Sequence, residues 1–213
     1  MLRKTLTALT LACFLSTSGA SQVLRTVGAK LGGVAASQDW KYTVQGVSLD
    51  TSTRWGLDIV GFLEWFNTPI FSLVTEGHYL QKGFKVSFPV VSSTSPDGTG
   101  TVITQSQQVN YFSIPVLLKC RATVAASSLY VLAGPRVDLL LGKPDQGYRE
   151  VLDKFHSHDF GITIGVGAEA IAISPFMLGA EFRYSPTLDN SYSTDLLTVR
   201  NSSLELLIVL QAK

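Results

Sequence analysis

The sequence is poor in everything that usually staples, anchors or charges a domain. It has two cysteines, Cys13 and Cys120. Only Cys120 lies beyond the first twenty residues, so the rest of the chain can form no internal disulfide. Long apolar runs are missing too: "SIPVLLK" and "LELLIVL" stop far short of the roughly 20 residues a transmembrane helix needs. Charge of one sign is also absent, with 17 Lys and Arg against 16 Asp and Glu, which excludes the basic footprint of a nucleic-acid binder. There is no nucleophile elbow, no paired zinc ligands and no Walker loop, and the glycine-rich "GVGAE" and "GAKLGG" sit in strand-like stretches rather than at a strand-to-helix turn. No cofactor cradle or resident metal is therefore expected.

The first residues, "MLRKTLTALTLACFLSTSGA", place Arg3 and Lys4 before an apolar run, with small Ser18 and Ala20 ahead of Ser21. This is the pattern of a secretory signal peptide cleaved near Ala20, and residues 1–20 are set apart from the domain at 21–213. Acylation at Cys13 is the lesser alternative, because an apolar run follows that cysteine rather than preceding it. Beyond residue 20, 15 basic and 16 acidic residues remain. Mean hydropathy is positive, so the apolar residues must be spread over many short elements.

Those elements alternate with period two, the mark of a strand. In "RWGLDIVGFLEWF", Trp55, Leu57, Ile59, Leu63 and Trp65 share one face, and Asp58, Val60, Phe62 and Glu64 the other. "DFGITIGVGAEA", "FMLGAEFRYS" and "SSLELLIVLQ" repeat the pattern. Eight segments result, at about 23–36, 54–65, 70–89, 107–120, 128–142, 159–172, 176–186 and 200–211. The connections alternate: long and polar at 37–53, 90–106, 143–158 and 187–199, short at 66–69, 121–127 and 173–175. Sorting of short turns to one end and long loops to the other characterises an outer-membrane barrel.

Alternation alone does not say which face looks outward. A soluble lipocalin-like barrel turns its apolar face in, and a membrane barrel turns it out. Three features favour the membrane. Trp55 and Trp65, ten residues apart on one face, project to about 25 Å along the membrane normal at a tilt near 40°, the height of the band between two aromatic girdles; Tyr184 is a third girdle candidate. The polar face mixes glycines with charges of both signs, as the crowded inside of an eight-stranded barrel requires. By parity that face holds Lys30, Asp58, Glu64, Glu76, His78, Lys82, Lys119, Arg136, Asp138, Asp159, Glu169, Glu181, Arg183 and Glu205. Most segments also run to ten residues or more, enough to cross a bilayer at a tilt.

"NYFSIPVLLKC" (110–120), "YVLAGPRVDLLLG" (130–142), "DFGITIGVGAE" (159–169) and "AEFRYSPTL" (180–188) resemble, in this order, the small outer-membrane beta-barrel family that includes PorT-like proteins. The resemblance implies an all-β, eight-stranded, antiparallel, up-and-down transmembrane barrel in the outer membrane. It also implies, for PorT-like members, a tie to protein secretion. Pro115 lies inside the matched motif, where a missing ladder hydrogen bond points to a bulge. Two positions depart from the pattern: the chain ends "LIVLQAK" where an aromatic is usual, and Cys120 stands where an aromatic is common.

Candidates for chemistry are few. His156 and His158 in "FHSHD" have a spacing that could present both rings to one metal, and His78 beside Glu76 could form an acid–base pair of the kind a lipid-modifying barrel enzyme uses. An ordinary polar loop, and a histidine bonded inside a charged lumen, account for the same residues. An eight-stranded barrel is barely wide enough for its own side chains, so a general porin is not expected. The sequence therefore reads as a non-enzymatic, monomeric outer-membrane barrel. Its partners are lipid and, through the long loops, a protein. The rivals are a lipid-modifying enzyme and a soluble carrier.

Overall fold

The computed structural model describes residues 23–42, 51–66, 68–90, 100–124, 127–142 and 156–212; the segment 1–20 lies outside them. Period-two alternation becomes strand wherever the sequence carries it. The strands are β1 (Leu24–Tyr42), β2 (Thr51–Trp65), β3 (Phe71–Pro89), β4 (Val102–Val124), β5 (Ser127–Gly142), β6 (His158–Ile173), β7 (Phe176–Pro186), β8 (Tyr192–Ser193) and β9 (Leu197–Ala212). Each pairs antiparallel with its neighbour, and β1 pairs with β9 from Gly28↔Gln211 to Tyr42↔Leu197, closing the ring. The two-residue β8 continues the line of β7 along β9, so eight strands form the wall. No helix among the described residues is long and apolar enough to cross a membrane, and the closed ring is the other structure that satisfies its backbone without water.

Facing is settled by burial. Trp55 is 68% exposed, Ile164 48%, Leu206 61% and Ile208 66%, whereas Asp58, Glu64, Glu181 and Arg183 are at 2% or below. A soluble carrier, with apolar side chains inward, is excluded by this orientation. The start of β1 and the end of β9 come together at the short-turn end, where the Thr26 hydroxyl donates to the Ala212 carbonyl.

Several strands are longer than the sequence pattern indicates. β1 runs on through 37–42 and β4 begins at Val102 rather than 107, taking residues assigned to the long loops at 37–53 and 90–106. Toward the loop end the alternation continues, but with the polarity exchanged: Val34, Ala36, Trp40, Leu80, Phe84, Val86, Val109, Tyr111, Tyr192, Leu197 and Val199 form an apolar cluster inside. Outside, Tyr79 and Phe112 give way to Gln81 and Lys85 on β3 and to Asn110, Gln108 and Ser106 on β4. The exchange marks one edge of the bilayer: below it the wall is greasy outside, and above it the barrel is built like a water-soluble protein.

Pro115 does not produce the expected bulge. Pro115↔Arg136 and Leu118↔Ala133 keep one register, because a proline facing its neighbours through the carbonyl alone costs one bond without adding a residue. Register shifts fall instead at Leu24/Thr26, Thr53/Asp58, Asn110/Tyr111 and Glu169/Ile171.

The bilayer edge can be tested on the outer wall. Ile208→Arg, at the midplane level of β9, is expected to lower stability by about 2–4 kcal/mol in urea unfolding from lipid vesicles. Ser106→Arg, also outward but above the edge, is expected to change it by less than about 0.5 kcal/mol.

Candidate functional site

The lumen holds the only dense assembly of ionisable side chains among the described residues. Parity aims the charged residues of β1 to β7 and β9 at the barrel axis, and all twelve of Lys30, Asp58, Glu64, Glu76, His78, Lys119, Arg136, Asp138, Glu169, Glu181, Arg183 and Glu205 are buried, as are Lys82 and Asp159. They do not form one undivided cluster but stack in tiers along the axis.

At the short-turn end Glu64 is the hub. Lys119 Nζ reaches it at 3.1 Å, Arg25 Nε at 3.1 Å, and Arg121 Nη2 bonds it directly; Lys119 also pairs with Glu169 and lies 4.0 Å above the Tyr130 ring. In the middle, Arg183 grips Glu76 with both terminal nitrogens, at 2.6 and 2.8 Å, and pairs with Glu181 through Nε. Lys30 bridges Glu76 and Glu181 at 2.8 Å each, and the Tyr130 hydroxyl donates to Glu181 at 2.8 Å. His78 links this tier to the next, with Nε2 2.8 Å from Glu76 and Nδ1 3.0 Å from Asp58. Above it Lys82 pairs with Asp138 at 2.6 Å and Arg136 with Asp138 and Glu205 at 3.1 and 3.4 Å.

The charges nearly balance. Eight buried acids face six buried Lys and Arg. A carboxylate stands at each nitrogen of His78, and Arg25 supplies a further positive charge from the rim. A last polar layer lies under the apolar cap: Asn201 Nδ2 donates to Asp159 at 3.0 Å, to Ser191 at 2.7 Å and to the Tyr111 hydroxyl at 3.3 Å, while Gln38 Nε2 donates to Asn201 Oδ1 at 2.8 Å. The segment joining β7 to β9 is thereby tied across the mouth.

Two lumen members escape the sequence pattern. Arg121 continues the inward parity of Lys119 and was hidden only by ending β4 at residue 120. Arg25 has no such signal, because the shift at Leu24/Thr26 turns its side chain inward against parity. The apolar lumen group Phe62, Val74, Leu117, Tyr130, Leu132 and Val209 fills space between the charged tiers; parity places these residues inward without revealing that they interleave with the ions.

The girdle candidates lie on the outer wall. Trp55 and Trp65 mark opposite ends of the outward apolar stripe of β2, Trp65 half-buried with Nε1 donating to Thr75 Oγ1 at 2.9 Å, and Tyr184 is 42% exposed beside Leu204. Neither His156 nor His158 belongs to a grouping of three metal-type ligands among the described residues; the His158 ring stands edge-on to Phe160 at 5.5 Å, and the His156 amide donates to the Ser191 carbonyl. Among the described residues the one grouping of three metal-type ligands is Asp58, His78 and Glu205. It does not fit an ion, since both ring nitrogens of His78 are already hydrogen-bonded, to Asp58 and Glu76.

Ring, outward apolar band and ion-paired lumen together define a transmembrane β-barrel of the small, filled kind. The chain belongs to the outer membrane protein beta-barrel domain family, whose profile matches residues 22–193. It is an outer-membrane protein. No curated protein matches it by sequence. Among solved structures it is similar to Neisserial surface protein A, with 12% identity over 87% of this chain and 96% of that one and a TM-score of 0.48. It is also similar to OprG from Pseudomonas aeruginosa, at 9% identity, 87% and 94% coverage and a TM-score of 0.49. The attachment invasion locus protein Ail of Yersinia pestis, in complex with the heparin analogue sucrose octasulfate, aligns at 12% identity, 87% and 97% coverage and a TM-score of 0.40.

The middle tier should dominate the energetics of the lumen. Arg183→Met leaves Glu76 and Glu181 short of a cation in a dry interior and is expected to cost about 3–5 kcal/mol in reversible unfolding from lipid vesicles. Glu205→Gln, which weakens a long ion pair of 3.4 Å to Arg136 and leaves an amide oxygen able to accept from the Ser203 hydroxyl, is expected to cost about 1 kcal/mol or less.

Proposed function

We propose that this protein is a sealed, non-enzymatic outer-membrane barrel that acts as a monomeric scaffold, presenting its loop end to a protein partner. The observation that carries the reading is the double closure of the lumen. Arg183, Lys82 and Glu181 are at 2% exposure or less in the ionic tiers, and the apolar cluster around Trp40, Phe84 and Tyr111 caps them. A water-filled conduit leaves its lining exposed, and a reaction centre needs a path for substrate; neither is compatible with side chains buried to this degree.

The same burial argues against a lipid-modifying enzyme built on His78 and Glu76. That histidine is held between two carboxylates and is 2% exposed, so no acyl ester can reach it. The surface left for recognition is the loop end, where β1, β3 and β5 finish at Tyr42, Pro89 and Gly142 and β2, β4 and β6 begin at Thr51, Val102 and His158. A secretion role of the PorT-like kind, which the motif resemblance implies, would use that end.

In planar bilayers the purified barrel is expected to give no unitary conductance above the lipid background; reproducible single-channel steps would replace the scaffold reading with a pore. Lipid extracted from cells producing wild-type protein is expected to match that from cells producing His78→Ala or His156→Ala, by mass spectrometry. A lipid species that depends on either histidine would establish the enzyme instead.

A further inference from the structure

At the bilayer edge the outer wall of β2, β3 and β4 carries a feature the lumen does not account for. Between Thr53↔Phe84 and Asp58↔Leu80 the strand β2 holds one residue more than β3. The bulge releases Arg54, whose Nη1 donates to the Lys82 carbonyl at 3.3 Å and whose Nη2 donates to Gln108 Oε1 at 2.5 Å. Gln108 faces outward between inward Gln107 and Val109, so the guanidinium lies on the outside of the barrel. It crosses Gly83, which has φ +135; a Cβ there would strike the Gln107 carbonyl and stand 3.1 Å from Arg54 Cδ. A side chain at this position would close the shelf on which Arg54 rests.

Lys85 stands two residues further along the same face, in register with Ser52 and Ser106. Among the described residues the only outward acid on β1 to β4 above the apolar band is Asp39, and it is taken by Lys41 at 2.9 Å. Arg54 and Lys85 therefore form a cationic pair without a described carboxylate. Directly below them are Trp55, 68% exposed, and Tyr79, 37% exposed, at the top of the lipid-facing wall.

We propose that Arg54 and Lys85 bind the phosphate of an anionic lipid in the leaflet on the loop side, with its acyl chains lying on the apolar wall below Trp55 and Tyr79. A guanidinium held by two acceptors keeps donors for a phosphate oxygen, and the lysine adds a point charge. The site is continuous with the band that lipid already covers. That continuity distinguishes a lipid headgroup from a free anion, for which two partly exposed charges in water are a weak site.

The test is native mass spectrometry of the intact barrel in detergent micelles, with phosphatidylglycerol and phosphatidylcholine of identical acyl chains as probes. Wild-type protein is expected to retain phosphatidylglycerol over phosphatidylcholine by about tenfold. The double variant R54Q/K85Q is expected to lose that preference, and K41Q, whose lysine is already paired, to keep it. Heat-dependent electrophoretic migration of each variant confirms that the barrel is folded. An undiminished preference in R54Q/K85Q overturns the proposal, and so does displacement of the lipid by millimolar inorganic phosphate, which would mark a free-anion site.

Discussion

Closure of the ring between β1 and β9 is the constraint from which the other features follow. In hydrocarbon an unpaired backbone amide or carbonyl has no water to turn to, so a sheet that enters the membrane must have no edge. Eight strands are enough to close it, and the circle they make is narrow. The inside must then be filled with the protein's own side chains, and what fills it is determined by alternation: whatever is not offered to lipid points at the axis. Glu76, gripped by Arg183 and bridged by Lys30, is the result of placing charge where there is no solvent. Each ion there must find its partner in the wall opposite, and the lumen consequently becomes a network tying β1, β3 and β7 together across the barrel.

The structure meets two solvents with one covalent pattern. From Trp65 to Trp55 the wall is apolar outside and ionic within; above Trp55 it is polar outside, with Trp40, Phe84 and Val199 within. No break in the strands accompanies the change. β3 and β4 are 19 and 23 residues long, about twice what a tilted strand needs to cross the hydrocarbon, and the excess is an ordinary soluble β-structure with a hydrophobic core. The apolar cap also gives the ionic tiers a dry lid, which strengthens the pairing of charges beneath it.

This explains which parts of the molecule were legible in the sequence. Outward leucines, isoleucines and tryptophans alternating with Asp, Glu, Lys and Arg announce β2, β6, β7 and the lower half of β9, and they place the lumen charges by parity. "SQDWKY" and "ITQS" do not read as membrane strand because the membrane has ended there. Their outward Ser, Asp and Thr residues resemble loop, and the inward Gln38 and Trp40 become intelligible only with Asn201 and Phe84 across the barrel. Arg25 and Arg54 were illegible for a different reason: each lies at a register shift, where one extra residue uncouples facing from parity.

A lumen filled with hydrocarbon side chains would serve closure as well and would avoid the desolvation of more than a dozen ionisable groups, so stability alone does not explain the charges. Register does. In a strand whose side chains alternate, slipping by one residue exchanges inside and outside along its whole length. With apolar residues on both faces such a slip would be nearly free, and β1 could pair with β9 in several ways. With Lys30, Arg183 and Glu205 inside, the slip would carry ions into the lipid at about 2–4 kcal/mol for each Lys or Arg near the midplane, besides abandoning Glu76 and Glu181 without partners. The ion pairs therefore act less as glue than as a penalty on every other pairing. Their distribution supports this, since the eight strands of the wall each contribute at least one buried charged residue, so none can shift alone without breaking a tier.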